Sequence, residues 1–244
     1  MKNEVNYYNK NGFVVLKNVI NKKKVKNLFN EIEIIKKKVI KTKNKRFFHY
    51  TSNGKINTIH NIQKFHKSKS LSTLSKNPIL NKFLNIILSR NIKVRNLELF
   101  LKPAKTGMAS PPHQDNFYWN LADSKAVNVW VALSRSNKLN GGLYYYKGSH
   151  KLGIIKHKQS FMKGTSQTIE LKEIKKNNYK KIFPTLSAGD CLVHHCETIH
   201  GSNKNLSNSK RVGIAISFKN KLSKENNIKK KKYEKKLQKF LKSI

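Results

Sequence analysis

Between residues 25 and 39 apolar side chains recur at steps of three and four: Val25, Leu28, Phe29, Ile32, Ile35 and Val39, with lysines between them. That period predicts an amphipathic helix with one buried face. Ahead of it, the polar stretch from Asn6 gives way at Gly12 to Phe13-Val14-Val15-Leu16, a polar turn or short helix followed by a strand. From Arg46 to Thr58 polarity is mixed, which predicts loop with a short strand. Leu80, Phe83, Leu84 and Ile87 then share one face of a second helix over Leu80 to Leu88.

From Val94 the texture changes to short apolar runs parted by Gly, Pro, Ser and Asn, the pattern of a β sandwich or barrel. The predicted strands are Val94 to Lys102, Ala126 to Leu133, Leu143 to Tyr146, Ile182 to Leu186, Cys191 to His195 and Val212 to Phe218. In the second, Val127, Val129, Val131 and Leu133 alternate with Asn128, Trp130 and Ala132, so one face belongs to the core and the other is free to line a pocket. Asn140-Gly141-Gly142 and Ser187-Ala188-Gly189-Asp190 are turn signals. Helices first and strands afterwards predict an α+β chain with a mainly β, double-layered core. Residues 1–218 read as a single domain, with a helical lead-in over 1–93 and the β core over 94–218. Residues 219–244 carry eleven lysines, and Tyr233, Leu237, Phe240, Leu241 and Ile244 fall at helical intervals. This basic tail or helix reads either as packing back or lying on an anionic partner, or, the favoured reading, as a solvated, partly frayed helix; a catalytic core is expected to survive its deletion.

With 244 residues, 37% of them hydrophobic, the chain has enough apolar mass for one real core. No run of about 18 uncharged apolar residues occurs, and the N-terminus lacks an apolar signal core, so membrane-spanning and secreted readings are disfavoured. Cys191 and Cys196 are too few for a disulfide framework and are expected as free thiols in a reducing, cytoplasmic compartment. Lys and Arg number 52 against 12 Asp and Glu, a formal charge of +40, but only five are Arg. Nucleic-acid readers depend on the bidentate Arg fork, so this Lys-rich charge reads as compositional bias on a solvated surface. It still predicts nonspecific, salt-sensitive binding to polyanions. No obligate protein partner is implied.

The candidate chemistry lies in His113-Gln114-Asp115 and, far downstream, His200. Two imidazoles and a carboxylate can occupy one face of an octahedral Fe(II) and leave adjacent positions for a bidentate co-substrate and dioxygen. On an extended segment His113 and Asp115 project to the same side. His200 follows a predicted strand and precedes Gly201-Ser202, where the chain can turn. Among nine His and three Asp a single His-X-Asp is weak by itself. Arg211, eleven residues after His200 and at the head of an apolar run, strengthens it, since its planar fork suits the far carboxylate of 2-oxoglutarate. Ser202 could add a hydroxyl to that carboxylate. Of His194 and His195 only one can face the pocket, as a core histidine or as support for a ligand. His150 reads as a turn residue, His157 as a contact for an anionic substrate, and Tyr144, Tyr145 and Tyr146 as strand aromatics. His49, His60 and His66 show no pattern.

From His113 to Phe218 the sequence resembles the phytanoyl-CoA dioxygenase family of Fe(II)- and 2-oxoglutarate-dependent oxygenases. The resemblance rests on His113-Gln114-Asp115-Asn116-Phe117-Tyr118-Trp119, Val129-Trp130-Val131-Ala132-Leu133, Asn140-Gly141-Gly142-Leu143 and Gly148-Ser149-His150. It continues through Ala188-Gly189-Asp190, Thr198-Ile199-His200-Gly201-Ser202, Asn205-Leu206-Ser207 and Arg211, and Asn11 to Leu16 resembles the family's first strand. It implies a double-stranded β-helix, a jelly roll with helices outside. It further implies that His113, Asp115 and His200 bind iron, that Arg211 with Ser202 holds 2-oxoglutarate, and that Trp119 and Trp130 line the cavity. Lys102-Pro103 falls where the family often has Lys-Pro, which implies a co-substrate contact for Lys102. Lys147 departs from the family's usual Pro before Gly-Ser-His, which alters a turn. The implied reaction is hydroxylation of a small organic metabolite with dioxygen, 2-oxoglutarate passing to succinate and CO2; Asp115, where a halogenase would have a small residue, disfavours halogenation. The alternatives are a nucleic-acid demethylase, for which no aromatic and Arg-rich lid is evident, and a noncatalytic basic β-sandwich module. Residues around Arg46 to His66 and Ser160 to Tyr179 are expected to select the substrate.

Overall fold

The computed structural model describes all residues except 42–46, 163–164, 230, 234 and 236–244, so Arg46 and the tail residues Leu237, Phe240, Leu241 and Ile244 lie outside the described residues. In chain order the elements are α1 (Lys2–Asn11), β1 (Phe13–Leu16), α2 (Lys22–Lys41), β2 (Phe48–Tyr50), β3 (Ile56–Ile59), α3 (Lys69–Ser75), α4 (Pro78–Ile87), β4 (Ile92–Lys102), β5 (Ser110–His113) and α5 (Asp115–Trp119). There follow β6 (Ala126–Ala132), β7 (Leu143–Tyr146), β8 (Lys158–Met162), β9 (Thr165–Thr168), α6 (Leu171–Lys175), β10 (Lys181–Ile182), β11 (Cys191–His195), β12 (His200–Ser202) and β13 (Arg211–Asn220).

Two antiparallel sheets face each other: seven strands in the order β1-β11-β6-β13-β4-β3-β2, and four in the order β10-β7-β12-β5. This is the expected jelly roll. The alternation along β6 works as its spacing predicts. Val127, Val129, Val131 and Leu133 pack outward under α2, α3 and α4 with Leu28, Ile32, Ile35, Leu80 and Phe83, while Trp130 and Ala132 pack inward with Phe13, Tyr145 and Leu192. Both faces of the large sheet are therefore buried, one against helices and one against the second sheet.

Helix α2 extends beyond its apolar stripe because lysines are good helix formers at exposed positions. Helix α4 starts where Asn77 caps it, accepting from the Ile79 and Leu80 amides at 3.0 and 3.2 Å, with Pro78 at the first position. The strand expected over Ile182 to Leu186 stops at Ile182; Pro184 has no amide to give a ladder, and Leu186 makes only an isolated bridge to Ser136. Among the described residues no helix is long and apolar enough to cross a membrane, and both cysteines are buried free thiols.

Strand β13 runs to Asn220, and the chain then folds back over α5. The Ala122 amide donates to Lys224 O at 3.1 Å, the Asn226 amide to Asn120 O at 2.7 Å, and Ser223 Oγ to Asp123 at 2.9 Å. Residues 227–229 and 231–233 are helical, and Tyr233 OH lies 2.8 Å from Ser166 Oγ and edge-on to Phe117 and Tyr118.

Candidate metal centre

His113 ends β5, and Gln114, still extended at φ −120° and ψ 130°, leads to Asp115, which opens α5. The pair thus does not lie on one continuous strand as expected, yet the single extended step keeps both side chains on one side. Gln114 fixes the corner: its Nε2 donates to Gly153 O and Glu197 O, each at 2.7 Å, and its Oε1 accepts from the Ile155 amide at 3.0 Å. His200 on β12 is the direct cross-strand partner of His113, with ring centroids 4.4 Å apart.

His113 Nε2 and His200 Nε2 each lie 3.8 Å from Asp115 Oδ1, and the three ligand atoms fall within 4.8 Å of one another. The other ring nitrogens are spent. His113 Nδ1 donates to Pro111 O at 2.8 Å and His200 Nδ1 to Thr198 O at 2.9 Å. A carbonyl only accepts, so both protons sit on Nδ1 and both Nε2 lone pairs point at the shared gap. Burial, then the facing His200, holds His113 down to about 4; burial, then His194, holds His200 down to about 4. Burial works to raise the Asp115 carboxyl, but the three surrounding imidazoles outweigh it and hold it well below the ordinary carboxylate range. At neutral pH the set is two neutral imidazoles and one anion, which a divalent transition metal takes without displacing a proton.

Asp115 is oriented by its far oxygen: Oδ2 accepts from Asn128 Nδ2 and His194 Nε2, each at 3.1 Å, and Tyr145 OH sits 2.9 Å from His194 Nδ1. Asn128 and His194 are themselves cross-strand partners on β6 and β11. One opposed pair on the small sheet supplies the imidazoles, and one on the large sheet holds the carboxylate.

Arg211 and Lys102 form a third opposed pair, on β13 and β4, and both are buried. Lys102 Nζ donates to Ser202 Oγ at 2.7 Å and Asn203 O at 2.5 Å. Gly141, at φ +77°, lets the Asn140-Gly141-Gly142 turn close over it, since a Cβ there would lie 2.9 Å from Lys102 Cδ. The Arg211 guanidinium lies 5.0 Å from the Trp130 ring, which rests on Gly213 so closely that a Cβ there would come within 2.0 Å of Trp130 Cζ2. Neither cation has a carboxylate partner among the described residues, and Arg211 Nε and Nη1 and Trp130 Nε1 make no hydrogen bond there. Burial lowers Arg211 to about 9, and burial and Arg211 lower Lys102. Two buried cations with unspent donors make a site for an anion.

Trp130 thus stands beside Arg211, whereas Trp119 packs elsewhere, with Leu121, Ala126 and Cys196, under the Arg95 guanidinium at 5.0 Å. His150 braces α1 through Asn9 O. His157 is not left to meet a substrate: its Nδ1 donates to Ile155 O at 2.8 Å and its Nε2 accepts from the Gln114 amide at 3.1 Å. Asn128 stood out in the sequence only as one of an alternating set, and Tyr145 only as a strand aromatic; their link to Asp115 depends on strand register.

A jelly roll carrying two imidazoles and a carboxylate beside a buried cationic pair defines the class of Fe(II)- and 2-oxoglutarate-dependent oxygenases. Within it, the chain belongs to the phytanoyl-CoA dioxygenase family, whose model matches residues 8–213. It is 26% identical over 230 residues to bovine peroxisomal phytanoyl-CoA dioxygenase, covering 87% of this chain and 66% of that one, so it spans just under two thirds of that relative's length. To the ectoine dioxygenase of Bordetella parapertussis it is 24% identical, covering 88% and 74%. Its fold is similar to the α-ketoglutarate-dependent carbocyclase SnoK of nogalamycin biosynthesis (TM-score 0.74, 19% identity, 92% and 86% covered). It is also similar to EctD from S. alaskensis solved with 2-oxoglutarate and 5-hydroxyectoine (TM-score 0.72, 18% identity, 90% and 76% covered).

Proposed function

We propose that this protein is an Fe(II)- and 2-oxoglutarate-dependent dioxygenase that hydroxylates a small organic metabolite, with 2-oxoglutarate decarboxylated to succinate and CO2. The observation that carries this reading is the convergence of His113 Nε2, His200 Nε2 and Asp115 Oδ1, all with their other polar atoms already engaged, around one gap. In this reading those three side chains hold the iron, and Arg211 and Lys102 hold the distal carboxylate of 2-oxoglutarate, with Ser202 tied to it through Lys102. When bound, the metal and its co-substrate supply the activation of dioxygen and the oxidising equivalents.

The chain's own residues set the geometry. The Pro111 and Thr198 carbonyls fix both tautomers and ring planes; Asn128 and His194 turn Asp115 so that Oδ1 alone faces the imidazoles. Trp130, lying over Gly213, covers the guanidinium and keeps its charge from being screened by water. A carboxylate at position 115 fills the place that a halide would need, which favours hydroxylation.

Anaerobic titration with Fe(II) and 2-oxoglutarate is expected to give a weak visible charge-transfer band, lost in His113→Ala. A His113→Ala protein that keeps the band rejects the ligand set. Succinate release against a panel of metabolites tests the activity.

A further inference from the structure

The inner face of the large sheet carries polar atoms that iron and 2-oxoglutarate leave unused. In register, Glu98 on β4 opposes Ala215 on β13, which opposes Trp130 on β6; Asn96 opposes Ser217, then Asn128, then His194. Directly opposed residues share a face, so Glu98 and Asn96 look the same way as Asn128 and His194, which hold Asp115. Phe100, two residues from Glu98, packs with Trp130 and Ala215 between the sheets and so fixes that face as the inner one.

Here one of the chain's twelve acidic residues has been placed indoors and paired with a histidine. Glu98 Oε1 accepts from His60 Nδ1 at 2.7 Å and Asn96 Nδ2 at 2.9 Å, and Gln63 Nε2 donates to Asn96 Oδ1 at 2.8 Å. The Glu98 and His60 side chains remain 23% and 21% exposed, so a ligand can reach them. The charge of Glu98 is felt at His113. Between this pair and the metal centre β13 presents Gly213, Ala215 and Ser217; the Trp130 ring covers Gly213 and packs with Ala215, which leaves Ser217 as the polar position beside Asn128. Ser217 Oγ and Asn128 Oδ1 are buried there with no hydrogen-bond partner among the described residues. Because Asn128 Nδ2 is committed to Asp115, its Oδ1 is purely an acceptor.

A carboxylate and an amide oxygen ask a ligand for donors. A fatty acyl chain here would leave Asn128 Oδ1 and Ser217 Oγ unpartnered and would cover the Glu98 carboxylate, already held by His60 and Asn96, with apolar surface, whereas hydroxyl or amino groups would pair with all three. We propose that Glu98, held by His60 and Asn96, forms with Asn128 and Ser217 the substrate-recognition wall, and that the substrate is a small donor-rich molecule bearing hydroxyl or amino groups. This rests on the oxygenase reading above.

The test uses the full chain loaded with Fe(II) and 2-oxoglutarate. Succinate release is measured with polyols, with amines and amino acids, and with palmitoyl thioester as probes, for the unaltered protein, Glu98→Gln and the milder Ser217→Ala. The expected result is that a polyol or an amine stimulates release above the thioester, the two arms separating hydroxyl from amino recognition. Glu98→Gln then raises the KM for that compound about tenfold or more, with the KM for 2-oxoglutarate and the anaerobic charge-transfer band unchanged. If no polyol or amine exceeds the thioester, or if Glu98→Gln and Ser217→Ala both leave its KM unmoved, the proposal is overturned while the band upholds the oxygenase reading. Absence of the band in the unaltered protein overturns both.

Discussion

At the scale of single residues, the metal centre depends on side chains that would not touch the metal. Asn128 and His194 each hold Asp115 Oδ2 at 3.1 Å, and without either one the carboxylate is free to rotate. Asn128→Ala or His194→Ala is expected to weaken Fe(II) binding roughly 10–100-fold with the fold intact, read from the anaerobic charge-transfer titration beside circular dichroism. Far from the centre, Asp190 ties the turn before β11 to β1, accepting from the Ser187 amide at 2.8 Å, the Asn18 amide at 3.0 Å and Lys17 Nζ at 3.0 Å. Burial works to raise its carboxyl, but the two amides and Lys17 outweigh it and lower it. A carboxyl depressed in the folded state stabilises above its unfolded pKa, about 3.9, and that gain is lost as pH falls through the folded value. Urea titrations are accordingly expected to find Asp190→Asn less stable at neutral pH, with the gap to the unaltered protein closing towards pH 3.

At the scale of elements, legibility followed local pattern. Strand β11 has the bounds its run predicts, β6 ends one residue short, and α2 and α4 cover their apolar stripes. What stayed hidden was β5, because Pro111 and Pro112 read as loop; an edge strand tolerates them since it needs no ladder on its outer side. Strand β12 is three residues long, too short for alternation to register. The identities of His113, Asp115, His200 and Arg211 stood in the sequence, but the partnership of Asn128 with His194 is a matter of register between distant strands, which no local spacing encodes. In the tail, the described residues follow the packing-back alternative rather than the solvated one. Residues 223–226 clamp the 120–123 turn after α5, and Tyr233 stands against Phe117 and Tyr118, the latter 5.9 Å from the His113 ring. Deleting residues 221–244 is therefore expected to lower the thermal midpoint by several degrees and weaken Fe(II) retention several-fold, measured by calorimetry and dialysis against a chelator.

Over the whole molecule, a formal charge of +40 coexists with a centre whose charges are settled locally by burial and hydrogen bonds. Nonspecific binding to heparin or duplex DNA is expected to fall at least tenfold between 50 and 200 mM salt, while the KM for 2-oxoglutarate, held in a buried site, changes little. A retention assay and a steady-state assay at matched ionic strengths check the two halves. The pairing of His113 with His200 has a consequence at this scale too. Strand β5 is the border of its sheet, and its four residues from Ser110 to His113 meet three on β12, from Ser202 to His200. A slide of one position along that border would carry the imidazole at 113 to the opposite side of the pleat. Ferrous ion would thus act as a gauge of correct strand alignment, captured by molecules whose border is seated and passed over by those in which it has slipped.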